Sequence, residues 1–144
     1  MKKTNRKQWR KSGFTLIEVV VVIIILVTLA SIATPLYLNY VKKANVGAAK
    51  TQIRLLDDAL TGYRLDVGTY PDSTVGLRAL VENVDQNAKW NGPYIQPAVP
   101  KDPWGNDYIY LFPGEHREYD LMSYGADGQP GGSGENADIT NWGE

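Results

Sequence analysis

One carboxylate stands at the start of a greasy run. Glu18 is followed by 23 residues, 19–41, that carry no charged side chain and are densely apolar over 19–33. An unpaired carboxylate in hydrocarbon costs several kcal/mol, so a glutamate in such a place is a functional residue by default, awaiting a cation or a proton. The alternative is a glutamate at headgroup level that simply snorkels to water. A second gathering of oxygens lies far along the chain. Residues 125–138 hold five glycines together with Asp127, Glu135, Asn136 and Asp138, so the backbone can turn tightly and expose carbonyls beside carboxylates. Calcium asks for that chemistry, six to eight oxygens at about 2.3–2.6 Å in a flexible loop. The Asp-x-Asp-x-Asp-Gly spacing of an EF-hand is missing, and by spacing alone a metal-free surface loop is the better reading.

Other reactive side chains are sparse. His116 is the only histidine and sits in a charged turn, no serine lies in a nucleophile elbow, and the chain has no cysteine. Thiolate nucleophiles, disulfides and thiolate metal sites are thereby excluded. Asp57 and Asp58 are adjacent on a predicted helix and point about 100° apart, so they read as a solvated face and not as an acid/base pair. Catalysis is not expected.

The elements that must carry these groups follow from periodicity. The 23 uncharged residues are enough to cross roughly 30 Å of hydrocarbon as a helix. Beyond Lys42 and Lys43, apolar residues recur at Ala49, Ile53, Leu56, Leu60 and Tyr63, one stripe of a helix. If residues 14–65 form one helix, those 52 residues would reach about 78 Å at 1.5 Å each. Gly68 and Pro71 predict its stop. Pro35 removes one backbone hydrogen bond and predicts a kink or local melting, with Thr28, Ser31 and Thr34 placed to satisfy freed backbone groups. A second short helix is expected at 76–81, and four prolines make 93–104 irregular. Residues 108–112 and 119–124, parted by Pro113-Gly114-Glu115, predict an antiparallel hairpin. The fold class is α+β, a long N-terminal helix packed on a small antiparallel sheet.

Charge is unevenly dealt. Residues 1–13 carry six basic side chains and no acidic one, which leaves 9 basic against 16 acidic residues in the remainder. Basic residues before an apolar span keep the N-terminus cytoplasmic and send the bulk across. An acidic remainder without a basic patch argues against nucleic acid as partner. A secretory signal would end in a small-x-small cleavage site after a shorter apolar region, whereas here the polar-to-apolar switch falls at Gly13-Phe14, ahead of the run.

The run Lys11-Ser12-Gly13-Phe14-Thr15-Leu16-Ile17-Glu18 resembles the type III signal of type IV pilins and pseudopilins, which prepilin peptidase reads. Further blocks narrow the resemblance. Tyr70-Pro71, Gly76-Leu77, Asp102-Pro103-Trp104-Gly105-Asn106-Asp107-Tyr108, Tyr119-Asp120-Leu121, and Gly125-Ala126-Asp127-Gly128 with Asp138-Ile139-Thr140-Asn141-Trp142 are similar to the major pseudopilins of type II secretion, the general secretion pathway protein G family.

That resemblance implies a pilin-like fold in three parts: a leader at 1–13, a transmembrane and filament-core helix at 14–41, and a periplasmic head at 42–144 with a calcium loop near 121–138. It implies cleavage between Gly13 and Phe14, N-methylation of Phe14, and pairing of Glu18 with the Phe14 amine of a neighbouring subunit. The stretch from Glu18 to Pro35 is one that can unwind on assembly in related filaments. One structural calcium ion is implied, held by Asp127 and Asp138 side chains with Leu121 or Ser123 carbonyls and Asn136 as further ligands. The expected partners are copies of the chain itself, minor pseudopilins, prepilin peptidase, the inner-membrane assembly platform and membrane lipid. The expected location is the bacterial inner membrane, single-pass, with assembly into a periplasmic pseudopilus that helps export folded proteins. The rival reading is an adhesive or motility pilin of the type IV pilus. Many of those close a C-terminal loop with a disulfide, which this chain cannot form.

Overall fold

The computed structural model describes residues 13–143. Contacts gather into two units, residues 1–39 and 40–144, and helix α1, Leu16–Val67, contributes to both. The leader predicted at 1–13 lies outside the described residues except for Gly13.

In the first unit α1 begins because Thr15 caps it. The Thr15 Oγ1 accepts the Glu18 N–H at 3.3 Å, satisfying one of the donors left open in the first turn, and Glu18 places a negative side chain where the helix dipole favours it. Every described residue of this unit is exposed, valines and isoleucines included. The helix is long and apolar enough to cross a membrane. At Pro35 the expectation of local melting is corrected, since the α-helix continues through it. The three hydroxyls also behave differently from the expectation. Thr28 donates to the Ile24 carbonyl at 2.8 Å, Ser31 to Thr28 at 2.7 Å and Thr34 to Ala30 at 2.8 Å, none of them to the Ser31 carbonyl that the proline leaves without its i+4 donor.

The second unit builds its core on the later turns of α1. Ala49, Ile53, Leu56, Leu60 and Tyr63 are all buried, as their spacing predicts, and Val67 and Ala59 widen the stripe. Gly68 follows the last turn, its N–H closing on the Arg64 carbonyl at 2.8 Å. Against this stripe pack a 3-10 turn, Gly76–Leu80, through Leu77 and Leu80, and a three-stranded antiparallel sheet. The sheet comprises β1 (Ile109–Leu111), β2 (Asp120–Ser123) and β3 (Ile139–Thr140), in that spatial order. Tyr110 faces Leu121 and Met122 faces Thr140 in register. Tyr110, Tyr119, Leu121 and Ile139 come from the strands and their margins into the core. The short helix expected at 76–81 is the tighter 3-10 form, and the hairpin strands are shorter than predicted. Strand β3 is an addition that the sequence pattern does not announce.

Candidate functional site

Two places hold the predicted site residues, and they differ in how much of their surroundings the chain supplies. At the N-terminus Gly13 and Phe14 precede the helix, with Phe14 84% exposed, and Glu18 sits one turn on with no side-chain partner among the described residues. Among the described residues of the first unit nothing neutralises the Glu18 carboxylate. Pro35 is embedded in the same exposed helix.

The loop after β2 is supported from several sides. Two short 3-10 turns, Gly125–Asp127 and Gly134–Asn136, pack against one another and fold the segment back on itself. The crossing is close enough to demand glycine. A Cβ on Gly125, which has φ +67°, would lie 2.6 Å from the Glu135 carbonyl oxygen and 2.9 Å from that of Ala137. Backbone oxygens thus line the inside of the turn. Asp127 is exposed and its Oδ1 accepts the Gln129 N–H at 3.2 Å, while both oxygens of Asp138 take the Gly131 N–H at 3.0 and 2.9 Å. Asn136 is half-buried in the second 3-10 turn. The Leu121 carbonyl accepts the Asn141 N–H at 2.9 Å, which leaves it one lone pair.

The entrance to the loop is fixed by the Asp102 to Asn106 turn, a connection that sequence reasoning missed. Buried Asp102 accepts the Ser123 hydroxyl at 2.6 Å and, through its other oxygen, the Trp104 and Asn106 N–H groups at 3.1 and 2.8 Å. Asn106 reaches on to the Gly125 carbonyl at 3.3 Å. The Asp-Pro-Trp-Gly block is therefore the bracket on which Ser123 and Gly125 hang, and its early polar residue among prolines was the available signal. The exit is held by Asn141, whose Oδ1 takes the Leu121 N–H at 3.0 Å. Glu135 is also tied, by an ion pair of 2.8 Å to Lys42 on α1.

Chemically the loop offers oxygen donors only. Among the described residues no three carboxylate or imidazole side chains gather, so a cation here would need backbone carbonyls as well as Asp127 and Asp138. The carbonyl-lined turn at Gly125 supplies that type of donor, and hard oxygen ligands of mixed kind suit calcium.

Asp57, Asp120 and His116 are tied into the fold. Asp57, expected to be solvated, is half-buried and accepts the Tyr119 hydroxyl at 2.8 Å. Burial pushes its carboxyl above the usual range against the pull of Tyr119, Asn141 and Arg117. Asp58 beside it is exposed, as the two helix positions require. His116 stacks flat on Trp142, ring centres 4.1 Å apart, and its Nδ1 lies 2.9 Å from Asp120. Burial raises the Asp120 carboxyl, but the His116 ring and the N–H groups of Glu115, His116 and Arg117 outweigh it and leave it below its ordinary value.

Comparison with known proteins identifies the family. Residues 36–142 match the family model described as type II secretion system, protein G, and residues 10–34 match the prokaryotic N-terminal methylation motif, which includes Gly13, Phe14 and Glu18. The type II secretion system core protein G of Vibrio cholerae is 46% identical over 140 residues, 95% of either chain, and that of Pseudomonas aeruginosa is 44% identical over 92% of this chain and 96% of its own. A crystal structure of the major pseudopilin from the type 2 secretion system of enterohaemorrhagic Escherichia coli superposes with a TM-score of 0.57 at 39% identity, covering 69% of this chain and 88% of that one. These matches favour a secretion pseudopilin over a pilus subunit. The chain belongs to the type II secretion system protein G family.

Proposed function

We propose that the chain is an inner-membrane precursor that prepilin peptidase cuts between Gly13 and Phe14 and methylates at Phe14, and that the processed subunit polymerises into the shaft of the secretion pseudopilus. The observation that carries this reading is the first unit itself, an apolar helix with every described side chain exposed and one carboxylate, Glu18, without a partner among the described residues. Such a surface is covered first by lipid and then by copies of the same helix. Within the filament the Phe14 amine of a neighbour neutralises Glu18, and this pairing sets the axial register, because a mismatched register leaves a charge unpaired in an apolar medium. The unbroken helix through Pro35 is the membrane form, and the residues between Glu18 and Pro35 are where assembly loosens it.

In this reading the head, residues 42–144, faces the periplasm and binds one calcium ion through Asp127, Asp138 and carbonyls of the loop, with Leu121, Ser123 and Asn136 as the further candidates. The ion supplies positive charge that neutralises the converging carboxylates. The chain's own part is to present those oxygens, with Asp102 and Asn106 fixing the loop's entrance and Asn141 its exit. The role is structural, as for other metal sites that couple to folding. Growth is driven by a cytoplasmic ATPase acting through the inner-membrane assembly platform. Minor pseudopilins are the other filament partners, and the advancing shaft helps folded cargo through the outer membrane. The deciding experiment is mass spectrometry of the mature N-terminus with prepilin peptidase present and absent. A methylated Phe14 terminus only in its presence is expected, and an intact Met1 in both removes the reading.

A further inference from the structure

The head carries a groove of about 560 Å³ between Lys50, Arg54 and Asp57 on α1 and the stretch from Asp138 to Gly143 beyond it. Arg117 closes the rim and Trp142 adds an aromatic wall. Three of the nine basic residues that follow position 40 meet here, on a head whose sequence is otherwise strongly acidic. The two carboxylates of the rim are already engaged. Asp57 accepts from the Tyr119 hydroxyl at 2.8 Å and feels the charge of Arg117, and Asp138 accepts the Gly131 N–H. Arg54 makes no hydrogen bond or ion pair with any described residue. A guanidinium in a half-enclosed groove is a receptor for a carboxylate, which it binds with two parallel N–H donors.

The same head displays a surface of opposite character. Asp66, near the end of α1, accepts the Tyr94 hydroxyl at 2.8 Å, and Asp85 lies close enough that its charge adds to burial in raising the Tyr63 hydroxyl. Tyr63 and Tyr94 touch edge to face at 5.6 Å, so the two aspartates border one tyrosine pair, the acidic patch of the head. Neither has a cationic partner among the described residues, and each is preceded in sequence by an exposed apolar side chain, Leu65 at 80% and Val84 at 39%. Two carboxylates without a cation gain from an external cation with an apolar wall. Groove and patch are complementary in charge and in character.

We propose that the Arg54 and Arg117 groove of one head receives the Asp66 and Asp85 patch of a second copy of this chain. Because groove and patch are different surfaces, the contact is heterologous and leaves one of each free at the ends, so it propagates into an open filament instead of closing a dimer. The contact deepens the polymer reading and rests on it.

The absence of cysteine allows a direct test on the full chain in assembled filaments. Filaments grown from a mixture of Arg54→Cys copies and Asp85→Cys copies are treated with a short bis-maleimide. A covalent dimer from the mixture, and none from either variant alone, is the expected result. Filaments that form normally from the mixture but give no dimer overturn the contact while leaving the polymer reading intact. Failure of the unsubstituted chain to form filaments removes both. Charge exchange gives a second readout: Arg54→Glu should cause loss of filament yield, and Asp85→Arg in the same chain should restore it. Unchanged filament yield with impaired secretion in Arg54→Glu would assign the groove to secreted cargo and reject the proposal.

Discussion

The two units solve the same problem in opposite ways. In residues 40–144 apolar side chains find each other within the chain, so that Leu56, Leu60, Leu80 and Leu121 are fully buried. In residues 13–39 the valines and isoleucines find nothing, and exposures such as 53% for Ile23 and 62% for Ile32 persist along the helix. One unit is finished by its own sequence, whereas the other is finished by whatever surrounds it. The lesson is that mutations in the core of the head should give folding defects and mutations in the first unit assembly defects.

The largest expected break is at Glu18. Glu18→Ala should abolish filament formation, scored by electron microscopy of sheared filaments, while the thermal melting of the head stays unchanged. A head that melts lower in this variant would mean the units are not independent. Next in size is Leu60→Ala, which empties a fully buried position on the α1 stripe and should cost about 2–5 kcal/mol in urea denaturation. Its N-terminal processing should be unaffected, which sharpens the division from the other side.

The proposed calcium site predicts an intermediate effect. Removing it with chelator should lower the melting temperature of the head, with about 2.7 kcal/mol lost if the ion had been present at a hundredfold excess over its Kd. Asp127→Ala should erase the sensitivity to chelator, measured by calorimetry with and without the ion.

The smallest effect per step is alkaline. Burial first of all raises the hydroxyls of Tyr108, Tyr110 and Tyr119 well above the ordinary tyrosine range, and the Asp57 carboxylate adds to this at Tyr119. Above about pH 10 the unfolded chain releases these protons and the folded head retains them, so stability present below that pH is lost as pH rises toward the raised values. Each tyrosine contributes a slope of about 1.4 kcal/mol per pH unit. Tyr110→Phe, which removes the donor to the Pro71 carbonyl, should flatten the alkaline limb of a urea-stability profile, and an unchanged slope would contradict the assigned burial.

How much of this was legible in the sequence depends on the range of the contact that decides it. Local patterns carry the helix stripe from Ala49 to Tyr63 and the stop at Gly68, because each depends on neighbours within one or two turns. The hairpin of β1 and β2 shows through its aromatic runs. Strand β3 does not show, because Ile139 and Thr140 are too few to display a period and are ordered only by pairing with β2. Asp57 was misjudged for a related reason. Its environment is set by Tyr119, 62 residues away, and no local rule reveals that a helix-surface aspartate will receive a buried hydroxyl. The glycine-rich loop was legible as composition, but its supports at Asp102 and Asn106 were not, since both lie about twenty residues upstream.

The bracket formed by Asp102 has a practical corollary. Its oxygens and the Asn106 amide pin the strand that leads into the loop, and Asn141 pins the strand that leads out, whereas the segment of Gly131 to Gly134 is exposed. Anchorage is thus independent of how many residues the segment contains, so the loop's tip can lengthen or shorten without disturbing the sheet. That makes it the natural place to install a small epitope or dye for watching the polymer grow in living cells.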